Sequence, residues 1–321
     1  MKIAVICGGL SPEREVSLAS GKMVAEALKG HGHEVALVDL CNDIPIDIPF
    51  GNDFVPKARH ELSGREIGHG IIELCSRADV VFPALHGGVG EDGRFRAALD
   101  LFGIRCAGAD YLSCAIAMDK QLSKTLMRLS GVTVPRGTVL TKGDPIKRSE
   151  VKFPCVIKPN GGGSSVGVAF ADNESELEIA LETAFSATDK VIIEEKLVGR
   201  ELTVGIVGGR ALPAVEIIPK VGFYDYKNKY TLGATEEICP APLTDAEAMR
   251  LRRSALAAAE ALGTTSLCRV DFILSGGIFF CLEVNALPGM TETSLLPLAA
   301  KTAGVGFPQL CEEILKTAND R

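Results

Sequence analysis

The first forty residues constrain the fold most. Lys2–Cys7 is an apolar strand, Gly8–Pro12 a turn, Glu13 to about Lys29 a helix pattern, and Glu34–Leu40 a second apolar strand. Gly30 and Gly32 stop the helix between them. A strand, a helix and a strand in this order form a βαβ unit, which demands a parallel sheet. The alternation continues through a helix at Ile71–Arg77, a strand at Asp79–Leu85, a glycine-rich loop at His86–Gly93, a helix at Arg94–Phe102 and a short strand at Ile104–Ala107. The first domain, residues 1–108, is therefore α/β. Asn42 to Gly68 carries Pro45, Pro49 and Pro56 and reads as an irregular insertion.

Beyond Gly108 the pattern changes. A helix is predicted from Met118 to about Leu129, and breaks follow at Gly131, Pro135 and Gly137. Strands at Cys155–Lys158 and Val168–Phe170 flank the loop Gly161–Gly167, and a helix at Glu174–Thr188 precedes a strand at Val191–Glu195. Residues 109–198 form a small α+β domain on this reading. Residues 199–321 form another. It holds strands at Glu201–Val207 and Ala211–Ile218, a polar aromatic loop at Gly222–Cys239 and an Ala-rich helix at Asp245–Leu262. Strands at Ser266–Leu274 and Ile278–Asn285 then surround a Gly276–Gly277 hairpin turn, and a final helix ends the chain.

A chain of 321 residues has room for two or three such domains. Hydrophobic residues at 46% and charged residues at 23% exclude disorder as the main state. No apolar run approaches the ~18 residues of a membrane span, and no leader is expected ahead of Ile3–Cys7. A net charge of −7 argues against nucleic acid as a partner. The ten cysteines contain no CxxC pair, which argues against a disulfide framework or structural zinc and for a cytoplasmic protein. All five histidines lie at or before His86, and His31 and His33 read as solvated rings at a helix end.

Five groups of residues can carry chemistry. Arg269, Asp271 and Ile273 share one face of a strand, and Glu283 and Asn285 share a face of the next. The two-residue turn sets these strands side by side, so Asp271, Glu283 and Asn285 can converge as hard oxygen ligands suited to Mg²⁺. Lys158 closes an apolar run ahead of Gly161–Gly167, where a lysine and free backbone N–H groups suit a phosphate. Glu13 opens the first helix at the carboxyl end of the sheet, the usual ligand edge of an open α/β fold, and can meet an ammonium. Glu194 and Glu195 end a strand before a linker whose backbone suits adenine. Gly88, Gly90 and Gly93 match the dinucleotide spacing G-x-G-x-x-G, but Glu91 and Asp92 would confront the pyrophosphate, so the loop is expected to build a small-molecule site with His86.

In order, GGLSPEREVSLASG (Gly8–Gly21), ALHGGVGEDG (Ala84–Gly93), AMDK (Ala117–Lys120), VIKPNGGGSSVGV (Val156–Val168), EEKLVGRE (Glu194–Glu201), FYDYKNKYT (Phe223–Thr231), CRVDF (Cys268–Phe272) and LEVNALPGMTETSLLP (Leu282–Pro297) resemble the D-alanine–D-alanine ligases of the ATP-grasp superfamily. The resemblance spans nearly the whole chain. It implies an ATP-grasp fold: an N-terminal parallel α/β domain followed by two α+β domains that sandwich ATP. The implied reaction joins two D-alanines for peptidoglycan precursor synthesis. ATP phosphorylates the first carboxylate, and the second amine attacks the D-alanyl phosphate.

The resemblance also implies roles. Glu13 holds the first D-alanine's ammonium, with His86 close by. Lys120 and Lys158 hold ATP phosphates, and Lys229 reaches the γ-phosphate. Glu194, Glu195, Leu197 and Glu201 bind adenine and ribose. Ser164 and Tyr230 orient Glu13 beneath a closing lid. Arg269 and the Gly289 N–H form an oxyanion hole. Asp271, Glu283 and Asn285 hold two Mg²⁺, with Mn²⁺ a possible substitute. Ser294 and Leu295 receive the second carboxylate. A cytoplasmic homodimer is implied. The phosphate loop departs from the family in carrying Gly161 and Gly162 where charged residues are common. Two alternatives stay open. One is an ATP-grasp ligase for other acids and amines, D-serine and D-lactate included; the other is an oxidoreductase using Gly88–Gly93.

Overall fold

The computed structural model describes residues 1–51, 57–62, 64–146, 150–163, 166–186, 188–220, 233–291 and 293–318. Strands β1 (Lys2–Cys7), β2 (Glu34–Asp39) and β3 (Val80–Pro83) form a parallel sheet in the order β2-β1-β3. β1 is the central strand and is buried on both faces from Ile3 to Cys7, which its unbroken apolar run requires. Helix α1 (Arg14–Gly30) covers one face of the sheet. Helices α2 (Ile71–Ser76) and α4 (Arg94–Leu101) cover the other, and the short helix α3 (Gly88–Glu91) lies between β3 and α4.

Two antiparallel sheets follow. The first runs β4 (Gly137–Thr141), β7 (Lys190–Glu195), β5 (Cys155–Pro159), β6 (Ala169–Ala171). Helix α7 (Glu174–Phe185) packs on its back against Cys155, Ile157, Val191 and Ile193. By period two, Val156, Lys158 and Glu194 face the other way. The second sheet runs β11 (Thr235–Ile238), β10 (Val215–Pro219), β8 (Arg200–Val207), β12 (Leu267–Ser275), β13 (Ile278–Asn285), with β9 (Arg210–Ala211) paired to β8. Gly276 and Gly277 turn β12 into β13 with φ of +56° and +79°, a pair of left-handed conformations that glycine adopts freely.

Helix α8 (Asp245–Leu262) starts with a capping box from Thr244 and Glu247 and ends at the left-handed Gly263. Its small residues Ala255, Ala258 and Ala259 let it sit close on β8, β12 and β13. Helices α9 (Leu295–Thr302) and α10 (Phe307–Leu315) return to the N-terminal sheet and share one core with β1 and α1.

Several elements differ from the sequence reading. Ile104–Ala107 keeps only a bridge between Val81 and Cys106: the Val81 N–H donates to the Arg105 carbonyl and the Ala107 N–H to the Val81 carbonyl, Pro83 has no N–H to extend the ladder, and Arg96 takes the Ala107 carbonyl at 2.6 Å. The helix expected from Met118 starts at Lys120 as α6 (Lys120–Leu129), capped by Asp119, and a helix the sequence reading did not place, α5 (Tyr111–Met118), precedes it. Gly137 is not a break but a close approach: a Cβ there would lie 2.5 Å from the Ile193 carbonyl across the β4–β7 pair. The last helix is two, divided at Gly304, whose φ is +81°. The tail of the long loop, Thr235–Ile238, is an edge strand, while 221–232 lie outside the described residues. His33 is not solvated; its Nε2 meets Glu312 at 2.6 Å and pins α1 to α10.

Candidate functional site

Two cavities open between these layers. The smaller, about 80 Å³, lies at the carboxyl end of the parallel sheet and is lined by Glu13, His86, Arg269, Asn285, Gly289 and Ser294, among others. The larger, about 730 Å³, lies between the two antiparallel sheets. Val156, Phe170, Ile217 and Leu282 give it apolar walls, while Lys158, Glu194, Glu201 and Asp271 supply charge. Lys120, Gly162, Gly163 and Glu283 line both, so the two cavities meet there. Every described residue to which the resemblance gives a role lines one cavity or the other. Ser164, Lys229 and Tyr230 lie outside the described residues.

Glu13 stands at the start of α1 and is 8% exposed. Its N–H donates to Ser11 Oγ at 3.1 Å, and that hydroxyl donates to the His86 carbonyl at 2.5 Å. His86 is buried, with Nε2 3.2 Å from Ser20 Oγ. Burial lowers its pKa more than the Glu13 charge and the Leu287 backbone raise it, which keeps the ring neutral near pH 7. The next residue, Arg14, makes a buried ion pair with Asp39, and Asp39 Oδ1 also accepts the Gly9 N–H at 3.1 Å. This pair holds the turn that presents Glu13.

The β12–β13 register sets Asp271 opposite Glu283 and Arg269 opposite Asn285. All four therefore share a face. Arg269 grips Asp271 with two hydrogen bonds of 2.8 Å, and Thr203 Oγ1 donates to Asp271 at 2.6 Å. Lys120 Nζ donates to the Gly162 carbonyl at 2.7 Å and lies 3.5 Å from Glu283 Oε2. Asn285 Oδ1 accepts the Leu287 N–H at 3.0 Å. Two carboxylates and an amide oxygen are hard donors of the kind Mg²⁺ takes. Among the described residues no three His, Cys, Asp or Glu side chains gather as a metal cluster, so a metal here would draw its remaining ligands from substrate oxygens or water.

Ser294 precedes the first turn of α9, where backbone N–H groups favour an anion. A Cβ on Gly289 would lie 2.6 Å from Ser294 Oγ, so a side chain there would push that hydroxyl out of its present position.

The sequence reading missed two charged residues. Lys124, one turn beyond Lys120 on α6, is buried with its Nζ 2.8 Å from Glu194 Oε1. Lys158 Nζ lies 3.0 Å from the other oxygen, Oε2. Burial by itself would raise the Glu194 carboxyl, but Lys158 and Lys124 outweigh it and bring it down to about 2. Burial pulls Lys124 down, and Glu194 compensates only in part. Lys158 moves up: burial opposes the charge, but Glu194, Glu283 and Glu201 favour it. Glu91 lines the smaller cavity and accepts the Gly87 N–H at 3.0 Å. Burial and the nearby Glu13 push its carboxyl up to about 7. The i, i+4 spacing of Lys120 and Lys124 was a signal for the first; the second stood in the G-x-G-x-x-G run itself.

That run does not read as a dinucleotide loop in three dimensions. A Cβ on Gly90 would lie 2.4 Å from Leu85 Cβ, and one on Gly93 would lie 2.2 Å from the Tyr111 carbonyl. Both glycines are explained by packing.

A nucleotide-sized cleft between two antiparallel sheets, joined to a small polar chamber on a parallel sheet, defines an ATP-grasp ligase, an enzyme that forms carbon–nitrogen bonds at the expense of ATP. The D-ala D-ala ligase N-terminus model matches residues 2–109 and the C-terminus model residues 129–316. The chain is 41% identical over 320 residues to the D-alanine–D-alanine ligase of Syntrophotalea carbinolica, covering 100% of this chain and 97% of the relative. With that of Pediococcus pentosaceus it shares 36% over 339 residues, covering 98% and 97%. The Bacillus anthracis D-alanine–D-alanine ligase complexed with ATP superposes with a TM-score of 0.80 at 33% identity, covering 99% of this chain and 96% of that one. The VanG D-Ala:D-Ser ligase of Enterococcus faecalis gives 0.79 at 27%, covering 98% of each. The chain belongs to the D-alanine–D-alanine ligase family.

Proposed function

We propose that the site performs the ATP-dependent joining of two D-alanines through a D-alanyl phosphate, and that the two cavities divide the work. The carrying observation is their junction at Lys120, Glu283 and Gly162–Gly163. A triphosphate lying in the larger cleft would point its γ-phosphoryl group at that junction, where a carboxylate held in the smaller chamber can receive it.

Glu13 anchors the first substrate's ammonium, and neutral His86 packs beside it without adding a competing charge. Lys120 and Lys158 neutralise phosphates as the carboxylate attacks a polyanion. The apolar walls of the cleft take the adenine ring. Glu194 accepts from its amino group, the Glu195 and Leu197 backbone completes its edge, and Glu201 meets the ribose. Asp271, Glu283 and Asn285 hold Mg²⁺, two ions in all, with Mn²⁺ able to substitute. Bound there, the metal neutralises phosphate oxygens. Arg269 and the Gly289 N–H face the tetrahedral oxyanion, where each fixed donor contributes about 3–4 kcal/mol. Ser294 and the Leu295 N–H receive the second carboxylate. Lys229, Ser164 and Tyr230 are assigned to the lid that excludes water.

Residues 1–108 then serve the amino acid, 109–198 the phosphates, and 199–321 the metal and oxyanion. The exposed Leu101 (88%) and Phe102 (69%) at the end of α4 support a homodimer through that face. Ten unpaired cysteines, nine of them buried, suit the cytoplasm. Among the described residues no helix is long and apolar enough to cross a membrane. The test is phosphate release from ATP with D-alanine and mass identification of the product. D-Alanyl-D-alanine is expected. ATP turnover that needs another amino acid or a hydroxy acid would overturn the substrate assignment.

A further inference from the structure

Lys124, Glu194 and Lys158 form a buried row of alternating charge behind the nucleotide cleft. Their side chains are 6%, 2% and 17% exposed. Lys158 and Glu194 line the cleft; Lys124, on the helix behind, does not. Both contacts are at hydrogen-bond distance, 2.8 Å from Lys124 Nζ to Oε1 and 3.0 Å from Lys158 Nζ to Oε2, so each Glu194 oxygen takes one lysine. Each carboxylate oxygen has a second lone pair, so Glu194 keeps acceptor capacity. A carboxylate with two lysines looks overcompensated for a purely structural pair. A third partner resolves this, because Lys158 and Glu194 both have access to the cleft, and Lys158 can leave the carboxylate for a phosphate.

We infer that Lys124 is the permanent counter-ion of Glu194 and a positioning residue for nucleotide choice. When a triphosphate enters, Lys158 leaves Glu194 Oε2 for a phosphate oxygen. Lys124 stays on Oε1 and keeps the carboxylate ionised in its buried setting. The freed Oε2 then accepts from the 6-amino group of a purine. A 6-oxopurine offers an acceptor at that place and is repelled. Without Lys124, the buried carboxylate has lost its only fixed cation and takes up a proton once Lys158 has gone. A neutral carboxyl can donate to a 6-oxo group, so the choice between 6-amino and 6-oxo purine weakens. This rests on the placing of adenine at Glu194 proposed above.

The experiment uses the full-length protein with D-alanine and Mg²⁺, and compares kcat/KM for ATP and for inosine triphosphate by phosphate release. Lys124→Met is expected to cut the ATP preference about tenfold or more, the worth of a charged hydrogen bond, while the KM for D-alanine stays within about twofold. Lys124→Arg keeps the charge and should keep the preference. Glu194→Gln should lose it as well. If Glu194→Gln leaves the preference intact, the adenine placement is wrong. If Glu194→Gln abolishes it but Lys124→Met does not, the counter-ion inference is wrong and the adenine placement stands. Equal losses in Lys124→Met and Lys124→Arg would assign the effect to shape and also overturn the inference. Should Lys124→Met fail to fold, Lys124→Gln replaces it, and folding of each variant is confirmed by its melting transition.

Discussion

Asp39→Asn is the substitution whose effect the structure sets most directly. The Arg14 and Asp39 side chains are 2% and 1% exposed, so water does not screen their ion pair. Asp39 also holds the Gly9 N–H, and Arg14 Nη1 donates to the Gly9 carbonyl at 3.0 Å. An asparagine keeps the shape but leaves the Arg14 charge buried and opposed by an amide N–H. Breaking one side of a buried pair costs about 3–5 kcal/mol. For a segment of domain size this lowers Tm by at least about 10 °C. Burial would raise the Asp39 carboxyl, but Arg14 and the Gly9 N–H outweigh it and hold it below its usual value. A depressed carboxyl stabilises fully above its unfolded pKa, about 3.9, and loses that stabilisation as pH falls through the folded value. The gap between parent and variant should therefore be constant from pH 5 to 8 and close only under stronger acid. Calorimetry across that range checks it. Because the same contacts hold the turn before Glu13, the KM for the first D-alanine should rise as well. A gap under about 2 °C at pH 7, or one that widens as pH falls toward 5, would refute the reasoning.

Three further outcomes follow from other parts of the site. Glu283→Gln keeps the shape and removes a charge from the proposed Mg²⁺ ligands; turnover should fall by orders of magnitude and recover in part at raised Mg²⁺, and activity within about threefold of the parent would count against the metal assignment. Glu91 has a raised carboxyl, so its contribution to stability is complete below about pH 4.3 and is lost as pH rises through about 7. Glu91→Gln should accordingly melt above the parent at pH 8 in the free protein, with no gain at pH 4. Leu101→Glu places a charge on the exposed end of α4 and should convert the proposed dimer to monomers in sedimentation, with the melting temperature of the protomer little changed; equal sedimentation of parent and variant would count against that dimer face.

Much of this protein was legible in the chain because the relevant physics is local. Period-two alternation alone put Arg269 with Asp271 on one side of their strand and Glu283 with Asn285 on one side of the next, and a two-glycine turn brought the strands together; the register puts all four on the same face, with Asp271 opposite Glu283. The helix Asp245–Leu262 was readable to the residue because Thr244, Glu247 and Gly263 mark both ends. What depends on distant neighbours was not readable. Gly137 looked like a break, since nothing nearby in sequence announces the Ile193 carbonyl it must clear. Ile104–Ala107 has strand composition, yet Pro83 on the strand beside it has no N–H for the next rung, and Arg96 takes the Ala107 carbonyl instead. Lys124 looked like any helix lysine until β7 placed Glu194 beneath it, and Glu91 like an obstacle to phosphate until the fold turned it into a cavity shared with Glu13. Residue type and spacing determine which groups can meet on one strand or one helix face. Which charges are buried together, and hence which are protonated, is decided only when separate layers close over them and remove the water.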